Sequence, residues 1–188
     1  MNVLRGVHFL KYSKGIYKMK KILIIVDYQN DFVSGSLGFP EAVRLEEGIC
    51  AKIKEYENDE IVYTLDTHRE NYLDTQEGKK LPVVHCIKGT EGHELYGKVK
   101  ELLKDCRTFE KPTFPSADLL DYLRGGEYDV IELAGLVSSI CVISNAVIAK
   151  AACPEAEIIV DSALTAGADA HMHEAALDVM RNLQITVK

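Results

Sequence analysis

At 188 residues, with 47% apolar and 27% charged side chains, the chain has ordinary globular proportions and enough length to bury the core of one domain. These proportions exclude disordered and collagen-like chains. A formal net charge of −7 argues against a nucleic-acid partner, which would need clustered Lys and Arg. The five cysteines include no C-x-x-C pair, so neither a disulfide framework nor a structural zinc knot is expected, and a reducing cytoplasm is the default. No apolar run approaches the roughly 18 residues of a membrane helix, so no membrane partner is expected. The opening also lacks the long apolar stretch of a secretory signal.

Residues 1–18 show no clear periodicity and carry part of a basic stretch, Lys11 to Lys21, ahead of a second methionine, Met19. They read as an N-terminal extension, with a transit segment as the alternative. Residues 19–188 read as one domain. Ile22 to Val26 is a continuous apolar run, the pattern of a strand buried on both faces. Leu45, Ile49, Ile53 and Tyr56 fall on one helical face, and Ile61 to Leu65 is the next strand. Asp66 to Gly92 is a long stretch of Gly, Thr and charge, and a segment of that kind inside a compact domain is usually functional.

Leu95, Val99, Leu102 and Leu103 mark a helix, and Arg107 to Glu110 a short strand. Ser116 is placed to cap a helix running through Leu123 and ending at Gly125-Gly126. Val130 to Ala134 is a strand, Ser139 to Ala152 a buried helix, and Ile158 to Val160 a strand. Met172, Ala176, Val179, Met180 and Leu183 form a last helical stripe before a strand at Ile185 to Val187. This alternation predicts a single-domain α/β fold, a Rossmann-like three-layer sandwich. Its sheet has about six mainly parallel strands with helices on both faces. Ligands of such sheets lie beyond the carboxyl ends of the strands, so polar residues that follow apolar runs are the ones to examine.

Asp27 directly follows the first run, where a carboxylate reaches the rim of a site or merely caps a turn. Lys111 follows the third strand. Gly135 allows a sharp turn after the fourth, and Cys141 falls in the first turn of the next helix. That position offers a thiolate the partial positive charge and free N–H groups of a helix start, although most cysteines are simply small buried residues. After the second strand come Asp66, His68, Glu77 and His85, oxygen and nitrogen donors suited to Zn²⁺, Fe²⁺ or Mn²⁺ if they converge, and ordinary loop residues if they do not. His8, His93, His171 and His173 have no such company and read as surface residues.

Taken in order, Asp27-Tyr28-Gln29-Asn30-Asp31-Phe32, Lys111, Gly135 to Val142, and Asp161 with Leu164-Thr165-Ala166-Gly167 resemble the isochorismatase-like cysteine hydrolases, nicotinamidase branch. The resemblance runs from about Lys20 to the C-terminus. It implies a catalytic triad of Asp27, Lys111 and Cys141, and an oxyanion hole from the N–H groups of Val137 and Cys141 behind a cis Leu136–Val137 peptide. It also implies one divalent transition metal, zinc first with iron or manganese as alternatives, on Asp66, His68, Glu77 and His85. Phe32 and Leu81 are expected to contact the substrate ring. Relatives usually carry Thr and an acid where this chain has Ser138-Ser139, and often an aromatic where it has Leu81-Pro82-Val83-Val84.

The expected activity is hydrolysis of nicotinamide to nicotinate and ammonia through a thioester, by a cytoplasmic homo-oligomer acting on a small-molecule amide. The alternatives are a metal-free relative acting on another small amide or on isochorismate, and a catalytically silent binding protein.

Overall fold

The computed structural model describes residues 18–188 and contains one sheet of six strands, every neighbouring pair parallel. The strands are β1 (Lys21–Val26), β2 (Glu60–Asp66), β3 (Arg107–Lys111), β4 (Val130–Leu136), β5 (Glu157–Ala166) and β6 (Thr186–Val187), in spatial order β3-β2-β1-β4-β5-β6. The continuous apolar run of β1 is explained by its central place. Ile22, Ile24 and Val26 enter one core cluster while Leu23 and Ile25 enter the other, and all five are fully buried. Each such side chain contributes about 1.5–3 kcal/mol through burial.

One face is covered by α1 (Asn30–Val33), α2 (Pro40–Arg44), α3 (Glu46–Glu55) and α4 (Gly97–Leu103), which supply Val33, Ala42, Ile49, Ile53, Val99 and Leu103 to the core. The other face is covered by α5 (Ala117–Arg124), α6 (Ile143–Ala152) and α7 (Ala170–Asn182), through Leu119, Leu123, Ala146, Ala149, Leu177 and Met180. The three-layer α/β expectation is therefore met. Ser116 caps α5 as its sequence position suggests, its hydroxyl accepting from Leu119 N at 3.2 Å. Its own N–H donates to Asn145 Oδ1 at 3.1 Å, which ties the start of α5 to α6.

Some expectations need correction. The short helices α1 and α2 lay unrecognised between the first strand and the Leu45 stripe. In α7, Met172 and Val179 are exposed, as is Leu183 just past its end, and the inward face is Ala176, Leu177 and Met180. In α4, Leu102 likewise points outward. Residues 1–17 of the expected extension lie outside the described residues. Lys18, its last residue, donates to the Asn58 carbonyl and sits 3.9 Å from Asp59. Among the described residues, no helix is long and apolar enough to cross a membrane, and all five cysteines are free.

Strand order reverses around β1, with β2 and β3 on one side and β4 to β6 on the other. In an open parallel sheet, this reversal opens a crevice at the carboxyl ends of the strands.

Candidate active site

Four neighbouring strand ends deliver four chemical groups to that crevice. Asp27 follows β1, Asp66 ends β2, Lys111 ends β3, and the turn after β4 carries Cys141. Register brings them together, since Asp66 pairs with Lys111 and Val26 with both Thr64 and Gly135. Gly135 has φ +120°, and any Cβ there would collide with the Val26 carbonyl oxygen, so only glycine lets β4 lie this close to β1. The Leu136–Val137 peptide is cis, as the resemblance implied. A π turn (Ser138–Val142) then runs into α6, with Val137 O accepting from Ile140 N and Val142 N at 3.1 Å.

Lys111 Nζ stands at the centre of the site. It lies 2.6 Å from Asp27 Oδ2, 3.5 Å from Asp66 Oδ1 and 3.6 Å from Cys141 Sγ, and it donates to the Thr113 carbonyl at 3.0 Å. The Asp27 contact is a close ion pair rather than an aligned hydrogen bond. Asp27 Oδ1 instead accepts from Thr64 Oγ1 at 2.6 Å. Asp27 also has φ +46°, an uncommon conformation for a non-glycine residue, of the kind that gathers at functional sites.

Burial dominates the protonation of this group. It pushes the Asp27 carboxyl up, against the opposing charge of Lys111. It also pushes the Cys141 thiol well up, an effect that the Asp27 charge reinforces and Lys111 resists. Burial opposes the charge on Lys111, but Asp27, Cys141 and Asp66 outweigh it and keep the ammonium protonated. Burial and the Asp27 charge thus act against the thiolate that a helix start favours, and Asp27 is the neighbouring carboxylate placed to take a proton from the sulfur.

The second cluster is Asp66, His68, Glu77 and His85, whose ligand atoms all lie within 4.8 Å of one another. His85 Nδ1 donates to the Val83 carbonyl at 2.7 Å, which leaves Nε2 as the free nitrogen, 3.4 Å from Asp66 Oδ2 and 3.9 Å from Glu77 Oε1. His68 Nε2 lies 3.1 Å from Asp66 Oδ2 and 3.7 Å from Glu77 Oε1. Burial acts to raise the Asp66 carboxyl, but hydrogen bonds from both histidines and the charge of Lys111 hold it below the ordinary range. Two imidazole nitrogens and two carboxylate oxygens converging on one point fit a divalent transition metal. Next to Glu77, Gly78 packs directly under Tyr72, where a Cβ would meet the Tyr72 carbonyl oxygen.

Several supporting residues were given no role by the sequence. Gln29 donates to the Asp66 and His93 carbonyls and accepts from Asp66 N at 2.8 Å, which fixes the end of β2. Asp31 Oδ2 accepts from Cys86 N at 2.7 Å, where Cys86 has φ +45°, and so holds the segment next to His85. Tyr72 packs its ring against both His68 and His85, at centroid distances of 4.6 and 4.9 Å. Asn145 Nδ2 donates to the Cys141 carbonyl at 2.8 Å.

Phe32 lies against His85, with ring centroids 5.5 Å apart, and Leu81 lines a cavity of about 810 Å³ beside the metal-ligand cluster. Two of the histidines read as surface residues are not at the surface. His93 is buried, with Nε2 2.8 Å from Thr67 Oγ1. His173 is half-buried, with Nδ1 2.9 Å from the Ser138 hydroxyl, which gives Ser138 a polar partner. His171 is exposed as expected, and His8 lies outside the described residues.

The family described as Isochorismatase domain matches residues 21–188. An uncharacterized isochorismatase family protein of Bacillus subtilis is 38% identical over 143 residues, covering 69% of this chain and 78% of that protein. The crystal structure of a nicotinamidase from Bacillus subtilis superposes with a TM-score of 0.80 at 32% identity, covering 90% of this chain and 99% of the other. The pyrazinamidase of Pyrococcus horikoshii, solved in complex with zinc, gives a TM-score of 0.78 at 26% identity, covering 90% and 98%.

Proposed function

We propose that this chain, which belongs to the isochorismatase family, is a metal-dependent nicotinamidase that hydrolyses nicotinamide to nicotinate and ammonia. The observation that carries the reading is the position of Lys111. Its ammonium contacts Asp27, the Cys141 sulfur and Asp66 at once, and so joins a nucleophile and base to a metal-ligand cluster.

In this reading Asp27 accepts the Cys141 proton as the sulfur attacks the carboxamide carbon. The N–H groups of Val137 and Cys141 stabilise the oxyanion. When the C–N bond breaks, Asp27 returns the proton to the leaving nitrogen, and ammonia departs. Asp27 then takes a proton from water, which attacks the thioester and frees nicotinate and the thiol. Its raised affinity for a proton suits a group that must both take one and give it back. Lys111 keeps Asp27 oriented and balances the charge that builds on the sulfur.

Asp66, His68, Glu77 and His85 would hold the metal, zinc in the first instance with iron or manganese as alternatives, and that ion would supply a Lewis-acidic contact for the ring nitrogen. Phe32 and Leu81 would bracket the ring. Free cysteines suit a reducing cytoplasm, and a homo-oligomer belongs to the same proposal, testable by its solution mass.

The decisive experiment is ammonia release from nicotinamide by purified, metal-replete protein. Turnover of nicotinamide supports the reading. Turnover confined to another amide or to isochorismate would replace it with the metal-free alternative, and no hydrolysis of any of these would favour a silent binding protein.

A further inference from the structure

The cavity beside the cluster is much larger than a single pyridine ring requires, at about 810 Å³, which falls in the range of pockets for drug-sized ligands. Its lining includes Pro112, Thr113, Phe114 and Ile140, which neighbour Lys111 and Cys141 in the chain. The lining also includes His68 and Glu77, together with Arg69 and Lys80. Glu77 is the sole acid on the lining, and its carboxylate turns towards His68 and His85 at 3.7 and 3.9 Å. Arg69 and Lys80 have no carboxylate within ion-pair distance among the described residues, whereas Lys88, Lys100, Arg124 and Arg181 each lie against one. Two uncommitted cations in a concave site on a chain of net charge −7 focus a local positive field.

We propose that Arg69 and Lys80 form an anion subsite, so that the enzyme takes aryl carboxamides carrying a second, negatively charged substituent on the ring. This rests on the amidohydrolase reading and names a substrate class for the same site. A ring whose carboxamide meets Cys141 would turn its remaining edge to a cavity that these two cations line. A carboxylate meta to the carboxamide is the added group that the proposal assigns to Arg69 and Lys80.

The test compares nicotinamide with the monoamide of pyridine-3,5-dicarboxylic acid, in wild type, Arg69→Ala, Lys80→Ala and the double variant. Each loss of a cation should lower kcat/KM for the anionic amide roughly threefold to fivefold, as expected for one exposed ion pair, and the loss should shrink in high salt. Nicotinamide, which has no group to meet the cations, should fall less than about twofold under the same principle. Equilibrium binding of both amides to Cys141→Ala protein, with and without the two cations, reads the subsite independently of turnover. An anionic amide that is handled equally well by wild type and the double variant overturns the proposal. Equal losses on both amides overturn it too, because they mark a loop support rather than charge recognition. Wild-type protein that binds the anionic amide through the cations yet hydrolyses neither compound would keep the subsite and remove the amidohydrolase reading.

Discussion

Lys111 Nζ lies 2.6 Å from Asp27 Oδ2, with the two side chains 1% and 0% exposed. Each charge is tolerable in that place only because of the other. Removing one partner of such a pair costs about 3–5 kcal/mol, since the remaining charge is left buried and unpaired.

Lys111→Met should therefore be both inactive and markedly destabilised. Adding Asp27→Asn should recover much of the stability, measured by urea unfolding, without recovering ammonia release. Each single change should lower turnover by at least about 100-fold, and the double change little further, because groups acting as one unit are non-additive. Losses that multiply would show that Asp27 and Lys111 act separately.

Thr64 offers a milder way to disturb the same carboxylate. Its hydroxyl donates to Asp27 Oδ1 at 2.6 Å, and this bond pulls the Asp27 pKa down against the burial that raises it. Thr64→Val keeps the shape and removes the bond, so Asp27 should bind its proton more tightly. The base form is the active one, and the acid limb of the kcat/KM profile should lie above the ordinary carboxylate value of about 4 in the wild type. It should move to still higher pH in Thr64→Val. A limb that stays fixed would mean that Asp27 is not the group that titrates.

The contrast between Thr64 and Asp27 also shows what the sequence could reveal. Asp27 follows an apolar run, and Lys111 and Cys141 come at or after strand ends, so a parallel sheet marks them for attention, while their shared role came from the family resemblance. Thr64 lies inside such a run and gains its role only when β1 pairs with β2 and places it opposite Val26. His93 is similar, because its burial depends on Thr67 and Gln29, which are distant in the chain. Helices α1 and α2, with 4 and 5 residues, are too short to show a helical period. In α7 the stripe read from the sequence included Met172 and Val179 and left out Leu177, and packing against the sheet selects Ala176, Leu177 and Met180.

Cys141→Ala should abolish hydrolysis while leaving the unfolding transition nearly unchanged, since it removes the nucleophile and only one small buried atom. Alanine at Cys50, Cys86, Cys106 or Cys153 should preserve turnover. Burial raises the Cys141 thiol, so its alkylation by iodoacetamide should climb with pH to values above the ordinary thiol range of about 8.5. Rapid, pH-independent alkylation near neutrality would reveal a resting thiolate and contradict the on-demand deprotonation by Asp27.

The metal cluster and the nucleophile should fail in different ways. Stripping the metal should weaken nicotinamide binding strongly, because the substrate loses its contact at the ring nitrogen. The Cys141 thiol should remain open to alkylation, since Asp27 and Lys111 act on it more strongly than the ligand Asp66 does. His68→Ala should reproduce the stripped protein, because it removes one of two imidazole donors from a group spanning only 4.8 Å. Glu77→Ala should be milder. Its oxygen stands farther from both histidines, at 3.7 and 3.9 Å, than Asp66 does, and it comes from a loop rather than a strand end. Elemental analysis of protein purified without chelator tests the premise. Protein that contains no transition metal, takes none up, and still hydrolyses its amide at full rate would overturn the metal assignment and leave a metal-free amidohydrolase built on Asp27, Lys111 and Cys141.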